Sequence, residues 1–454
     1  MTGAPADPAE PGTPVAIVGG GLAGIAAAVA LGEAGYAATL YEARPRLGGA
    51  THSFDRDGLT VDNGQHVFLR CCTAYRGLLD RIGGTGGVRL QDRFDVRVLT
   101  PGGRSGRLRR AALPGPFHLL PALAGYSLLP PADRARAVRG SLALARLDPA
   151  DPALDGIDLG SWLTAHGQRD AARRALWELF TVAALNVGID DAALGAAVKV
   201  FRTALLGRAD AADIGVPAVP LGELHGGAAQ AAIQERGGRV RLSAKVTAIE
   251  SGPAIVVRGT RIAASAVIVA TPHGQAAKLV PPEAAPDRDR WGGLETSPIV
   301  NVHAVYDRPV TDMPFAAVVD SPVQWVFDKT RVGGLGSGQY LAVSVSAADR
   351  WIDMPVAKIR AEFVPELRRI FPAACRARLT DFFVTRERHA TFRQGPGSGA
   401  LRPVAATRWP GLYLAGAWTD TGWPDTMEGA VRSGLIASRL VRHHLRRVRQ
   451  GAAS

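Results

Sequence analysis

The run Val15-Ala16-Ile17-Val18 followed by Gly19-Gly20-Gly21-Leu22-Ala23-Gly24 constrains this chain more than any other feature. It satisfies G-x-G-x-x-G between an apolar strand and an alanine-rich helix, the setting in which that spacing binds a dinucleotide. Gly19 permits the tight turn, and Gly21 lets the backbone approach a pyrophosphate with no Cβ in the way. Gly24 lets helix and strand pack closely. Leu22 and Ala23 open the helix, whose free N–H groups and positive dipole end suit the phosphates. Glu42 closes the next strand, placed to accept hydrogen bonds from a ribose diol. An acid there favours the unphosphorylated ribose of FAD or NAD over NADP.

The segment after Glu42 bears on which of the two is bound. It reads Ala43-Arg44-Pro45-Arg46-Leu47-Gly48-Gly49. Paired glycines bring backbone N–H groups against a phosphate or ribityl chain, and Arg46 neutralises charge there. Read alone, the same run is a Pro/Gly turn. It resembles the extended fingerprint of flavoproteins such as amine oxidases and carotenoid desaturases, and that resemblance implies FAD. Many relatives have Arg directly after the glycines, where this chain has Ala50.

The C-terminal end carries a second part of the resemblance. Gly416 follows the strand 412–415, and Met427-Glu428-Gly429-Ala430 opens a helix. In these flavoproteins that helix points its N-terminus at the flavin pyrimidine edge, where its dipole stabilises the charge of the reduced ring. Relatives commonly have an acid right after the last glycine. Here it is Ala417, and Asp420 is the candidate for the ribityl contact. Val246 matches the position whose backbone meets the adenine; read alone, it is a buried strand valine.

Asp62-Asn63-Gly64-Gln65-His66 narrows the likeness further. It resembles the D-x-G-x-H element of phytoene-desaturase-like enzymes, which passes beside the isoalloxazine. With the runs GRADAADIGVPAVPLGELHG (207–226), PIVNVHAVYDRPVT (298–311), VQWVFDKT (323–330) and WTDTGWPDTMEGAVRSG, it is similar to the hydroxysqualene dehydroxylase family. That likeness implies reductive removal of a hydroxyl from a C30 isoprenoid by reduced FAD. His66 is then expected to help the hydroxyl leave and Asp62 to hold its loop, or both only shape the loop. Three other readings share the fold: a desaturase running the flavin oxidatively, an amine oxidase, and a non-catalytic prenyl carrier.

The expected fold class is α/β, a Rossmann-like FAD-binding domain of the two-dinucleotide-motif class with an inserted α+β substrate domain. The expected boundaries are a loose tail at 1–13 and a discontinuous FAD-binding domain of 14–85, 226–285 and 405–446. A substrate, membrane-facing domain takes 86–225 and 286–404. With 454 residues, 47% hydrophobic and 21% charged, two globular units fit.

A net charge of +12 raises the question of nucleic acid, but no basic stripe interleaved with aromatics is present, so no nucleic-acid partner is expected. Cys71, Cys72 and Cys375 have neither disulfide nor metal spacing, which fits a reducing cytoplasm. No stretch is long and apolar enough to span a bilayer. RSGRLRR (104–110) before AALPGPFHLLPALAGYSLLP (111–130) reads either as a monotopic surface on the inner face of the cell membrane or as a buried helix beside a charged loop. The electron donor is not legible.

Overall fold

A computed structural model of the chain describes residues 14–451, so the tail expected at 1–13 lies outside the described residues. Val15–Val18 is buried along its whole length, as a strand covered on both faces must be. It is the middle strand of a five-stranded parallel sheet, in the order 239–241, 38–41, 15–18, 267–269, 412–414. Sequential strands are added on one side of Val15–Val18 and then on the other. The change of side opens a crevice at the carboxyl ends, where α/β sheets of this kind take their ligands.

The helix Leu22–Glu33 buries nine of its twelve residues, because it lies between the sheet and the C-terminal helix Met427–Gly451. Small residues let the two helices approach. A Cβ on Gly434 would lie 2.1 Å from the Ala23 carbonyl oxygen.

The stretch GGRVRLSAKVTAIE (237–250) forms two strands in different sheets. Arg239–Arg241 joins the parallel sheet, and Val246–Glu250 opens an antiparallel sheet with 254–257 and 260–263. Ser243, at φ +50°, turns the chain between them.

A seven-stranded sheet stands beside this unit, in the order 379–391, 297–306, 339–345, 325–328, 315–318, 95–99, 105–109. Its strands come from both sides of the segments that build the parallel sheet. One face packs Val300, Val302, Ala304 and Tyr306 onto the helix Val356–Ile370. On the other side, Phe315 and Phe327 join a helical layer that includes Trp177, Leu179 and Phe201.

The basic run 105–109 is an edge strand, with Gly106 and Leu108 inward and Ser105, Arg107 and Arg109 outward. In 111–130, His118, Leu123, Tyr126 and Leu129 turn inward. Leu113, Phe117 and Leu120 are exposed, Phe117 by 52%. No helix among the described residues is long and apolar enough to cross a membrane.

Candidate active site

The first glycine run closes tightly on itself. Gly19 has φ +112°, and a Cβ there would stand 2.5 Å from the Ala270 carbonyl oxygen; one on Gly24 would stand 1.9 Å from the Gly19 oxygen. Gly21 sits just before the helix Leu22–Glu33 with no side chain capping its N–H groups, which leaves them to a ligand. Gly48 N–H donates to the Gly20 carbonyl at 2.9 Å, and Gly21 bridges Gly48. A Cβ on Gly49 would lie 2.8 Å from Gly21 Cα. The two glycine runs are thus one surface of bare backbone.

The buried Glu42 carboxylate accepts from Gly20 N–H at 2.7 Å and Arg44 N–H at 2.8 Å, so it is held rigid with lone pairs to spare. Arg46 donates to the Gly49 carbonyl at 3.2 Å, and Ala43 is exposed beside it.

The C-terminal residues converge from the far side. Gly416 has φ +136° and donates its N–H to Ser433 Oγ at 2.7 Å, which ties the strand end to the helix. Gly429 N–H meets Thr426 Oγ1 at 3.2 Å, and Met427 packs partly buried against the core. Buried Glu428 accepts from Ala74 and Tyr75 N–H groups at 3.1 and 2.8 Å, so this helix also caps the helix Thr73–Arg81. Asp420 is exposed, and its carboxylate takes the Gly422 N–H at 3.2 Å; the structure puts it on a surface turn. Val246 is buried at the start of its strand, paired with Val257.

The loop Asp62–His66 links the two sheets. Asn63 Oδ1 accepts from His52 N–H, and its Nδ2 donates to the Ala50 carbonyl at 2.8 Å and to Glu387 at 3.0 Å. Its carbonyl accepts from Asn301 Nδ2 at 3.1 Å. Asp62 is taken up completely by its neighbours. Its carboxylate accepts from Ser53 Oγ at 2.6 Å, Leu221 N–H at 3.0 Å and Lys329 Nζ at 2.8 Å, all inside the protein.

Desolvation, opposed by Asp62 and reinforced by Lys329, holds the His66 imidazole down at about 4. Burial holds His225 and His303 at about 3. His225 meets Tyr75 Oη at 2.8 Å; His303 meets Tyr340 Oη at 2.7 Å and stacks on Phe383. All three rings are neutral at pH 7. Asp425 differs: burial, against the Phe392 N–H and Arg402, pushes its carboxyl up to about 6.

Several buried polar atoms have no partner, among them His52 Nδ1, Gln65 Nε2, Thr271 Oγ1 and Asn301 Oδ1. Thr271 follows the strand 267–269, and the other three attach to the Asp62–His66 loop. Bare glycine backbone at a helix N-terminus, together with an unpaired Thr271 hydroxyl beyond the neighbouring strand and three unpaired atoms tied to the Asp62–His66 loop, fits a bound dinucleotide with a polar ring.

The sequence alone did not single out Lys329, His225, Asn301, His303 or Asp425. Signals for three of them were present. Lys329 is one of five lysines among 53 basic residues, and Asn301 and His303 alternate with valines in a strand that is apolar otherwise.

The model of the family described as "Flavin containing amine oxidoreductase" matches residues 22–442. The chain belongs to the flavin containing amine oxidoreductase family. As a member of it, the protein is an FAD-dependent oxidoreductase. Within the family it is similar to the hydroxysqualene dehydroxylase of Rhodopseudomonas palustris, at 31% identity over 94% of this chain and 98% of that protein. It is also similar to the zeta-carotene desaturase of Synechocystis, at 26% identity over 94% of this chain and 96% of that protein. Among solved structures, putrescine oxidase bound to putrescine matches with a TM-score of 0.71 at 21% identity, covering 95% of this chain and 99% of that one, which shows the shared fold.

Proposed function

We propose that the chain removes the hydroxyl of hydroxysqualene reductively, giving squalene for hopanoid or related triterpene synthesis. The observation that carries this reading is the FAD cradle together with the 31% likeness to hydroxysqualene dehydroxylase across the whole chain. A C30 hydrocarbon draws its binding from apolar surroundings, because transfer of apolar area from water is its main source of binding energy. Phe315, Trp325 and Phe327, within 6.5 Å of one another, centroid to centroid, pack against a helical layer containing Phe180 and Phe201 and give the substrate unit a dry interior.

Reduced FAD supplies the hydride for the allylic carbon. The protein holds the cofactor through Gly19, Gly21, Leu22, Ala23, Gly24, Glu42 and the Gly48-Gly49 turn, with Gly64, Gln65, Val246, Gly416, Met427 and Gly429 completing the site. The C–O bond would break and a C–H bond form, the hydride and one proton together being the two hydrogens of the reduced cofactor, so that the hydroxyl would leave as water. His66, neutral at pH 7, meets the departing hydroxyl as a hydrogen-bond donor; Asp62 and Lys329 keep the His66 loop in place. The packed aromatic face keeps out water that would trap an allylic cation.

The nucleotide-binding unit consists of 14–85, 226–285 and 405–446, and the substrate unit of 86–225 and 286–404. Leu113, Phe117 and Leu120, beside exposed Arg104, Arg107 and Arg109, take substrate from the inner face of a membrane. The electron donor is a separate reductant.

A second reading has a specific basis. The likeness to zeta-carotene desaturase favours the same flavin running oxidatively on a polyene. Product analysis separates the two. Hydroxysqualene with reduced holoprotein yields squalene if the first reading holds. Desaturation of a carotene in the presence of an acceptor, with no squalene formed, would replace it with the second.

A further inference from the structure

Asn301 lies in the strand 297–306, second from one edge of the seven-stranded sheet, 0% exposed, between Ser344 and Thr385 on its neighbours. Its Nδ2 donates to the Asn63 carbonyl at 3.1 Å. That bond fixes the amide, since the flipped form would set two acceptors face to face. Oδ1 is left buried with no donor. It has company on the same loop. Gln65 Nε2 and His52 Nδ1 are also buried and unpaired, His52 N–H is bound to Asn63, and a Cβ on Gly64 would lie 3.8 Å from Asn301 Nδ2. Native interiors seldom leave such atoms unpaired, and three tied to one loop mark a surface completed by a ligand.

We infer that Asn301 Oδ1 accepts a hydrogen bond from a ring N–H of the flavin, and that this N–H is one the ring carries only when reduced. The inference rests on the reading above that the chain works from reduced FAD. The oxidised ring has an N–H at N3 alone, and two-electron reduction adds one at N5. An amide oxygen is only an acceptor, so at N5 it faces a lone pair in the oxidised form and a donor in the reduced form. Enclosed away from water, that difference counts in full. Asn301 is thus a positioning residue that biases the cofactor toward the state that delivers hydride.

The test is the midpoint potential of flavin bound to the holoprotein and to Asn301→Val, whose β-branched side chain suits a strand. The ratio of reduced to oxidised binding is expected to fall roughly tenfold in the variant, a midpoint about 30 mV lower. Ser344→Ala is the control. It changes the residue paired with Asn301 on the neighbouring strand but keeps the bond from Asn301 to the Asn63 carbonyl, and its potential stays at the wild-type value. Equal weakening of both redox forms, or the same shift in Ser344→Ala, overturns the inference.

A second measurement needs no variant to fold. With FAD labelled with nitrogen-15 at N5, the reduced wild-type holoprotein gives an N5 resonance displaced from that of free reduced flavin; coincidence of the two overturns the inference. A wild-type protein that binds no flavin refutes the cofactor reading itself, whereas bound flavin with an unmoved potential refutes only the role of Asn301.

Discussion

Lys329 and Asp62 meet at 2.8 Å where both are almost wholly buried, and much of the site's order hangs on that pair. Each charge is tolerable inside because the other is there, with Ser53 Oγ and Leu221 N–H meeting the remaining lone pairs. Removing one partner strands a buried charge, which costs about 3–5 kcal/mol. Lys329→Met should lower stability to urea by about that much, whereas the double variant Asp62→Asn/Lys329→Met should recover most of the loss. Denaturation curves of the holoproteins check this. A single variant as stable as wild type would mean that the pair does not hold the loop.

Asn301 and His303 show why such residues are hard to read beforehand. A polar residue every second position in a strand usually marks a solvent face, and only the packing of a second layer shows that this face is interior. Glycine runs are easier, because a Cβ at Gly24 or Gly19 meets backbone and nothing else can substitute.

Among the elements, the first strand–turn–helix unit was legible because it is local: strand, glycine turn, helix and acid lie in one run of sequence. The division of 237–250 between two sheets and the pairing order of the seven-stranded sheet were not, since each depends on partners far along the chain. The segment 111–130 was legible only in part. Its composition fits a buried helix and a lipid-facing surface alike; the structure buries His118, Leu123, Tyr126 and Leu129 and leaves Leu113, Phe117 and Leu120 exposed.

Leu113, Phe117 and Leu120 present apolar side chains outward beside a strand whose arginines face the same solvent. Replacing all three with Ser should leave the fold intact, because none belongs to the core, and should weaken binding to anionic liposomes. At 0.8 kcal/mol or so per buried methylene, even partial insertion of three such side chains makes the loss tenfold or more. Sedimentation with vesicles measures it, and undiminished binding would remove this surface from the account.

At the scale of the whole molecule, the buried histidines set how the protein responds to acid. His225 and His303 titrate at about 3 in the folded protein, against 6.5 for an ordinary imidazole, because burial disfavours the charged ring. A folded value below the unfolded one means that the unfolded chain binds more protons as pH falls from about 6.5. Their contribution to stability is therefore full above 6.5 and is lost on acidification. Asp425, raised to about 6 from 3.8, acts the other way: its contribution is present below 3.8 and lost as pH rises through 6. Two histidine shifts of over three units outweigh one carboxyl shift of about two. Urea midpoints should drop between pH 7 and pH 5, and less steeply in His225→Gln. A midpoint that rises on acidification would contradict the burial of these rings.

Two sheets built from scattered segments meet in the proposed reductive site: a flavin cradle at the parallel strands' ends beside the neighbouring sheet that carries Asn301 and His303. Anaerobic single turnover tests it most directly, with the holoprotein's flavin reduced beforehand and hydroxysqualene added without any other oxidant. The account predicts that the oxidised flavin spectrum returns as squalene forms, one molecule per flavin. A reduced spectrum that persists unchanged, with hydroxysqualene recovered intact, would contradict it.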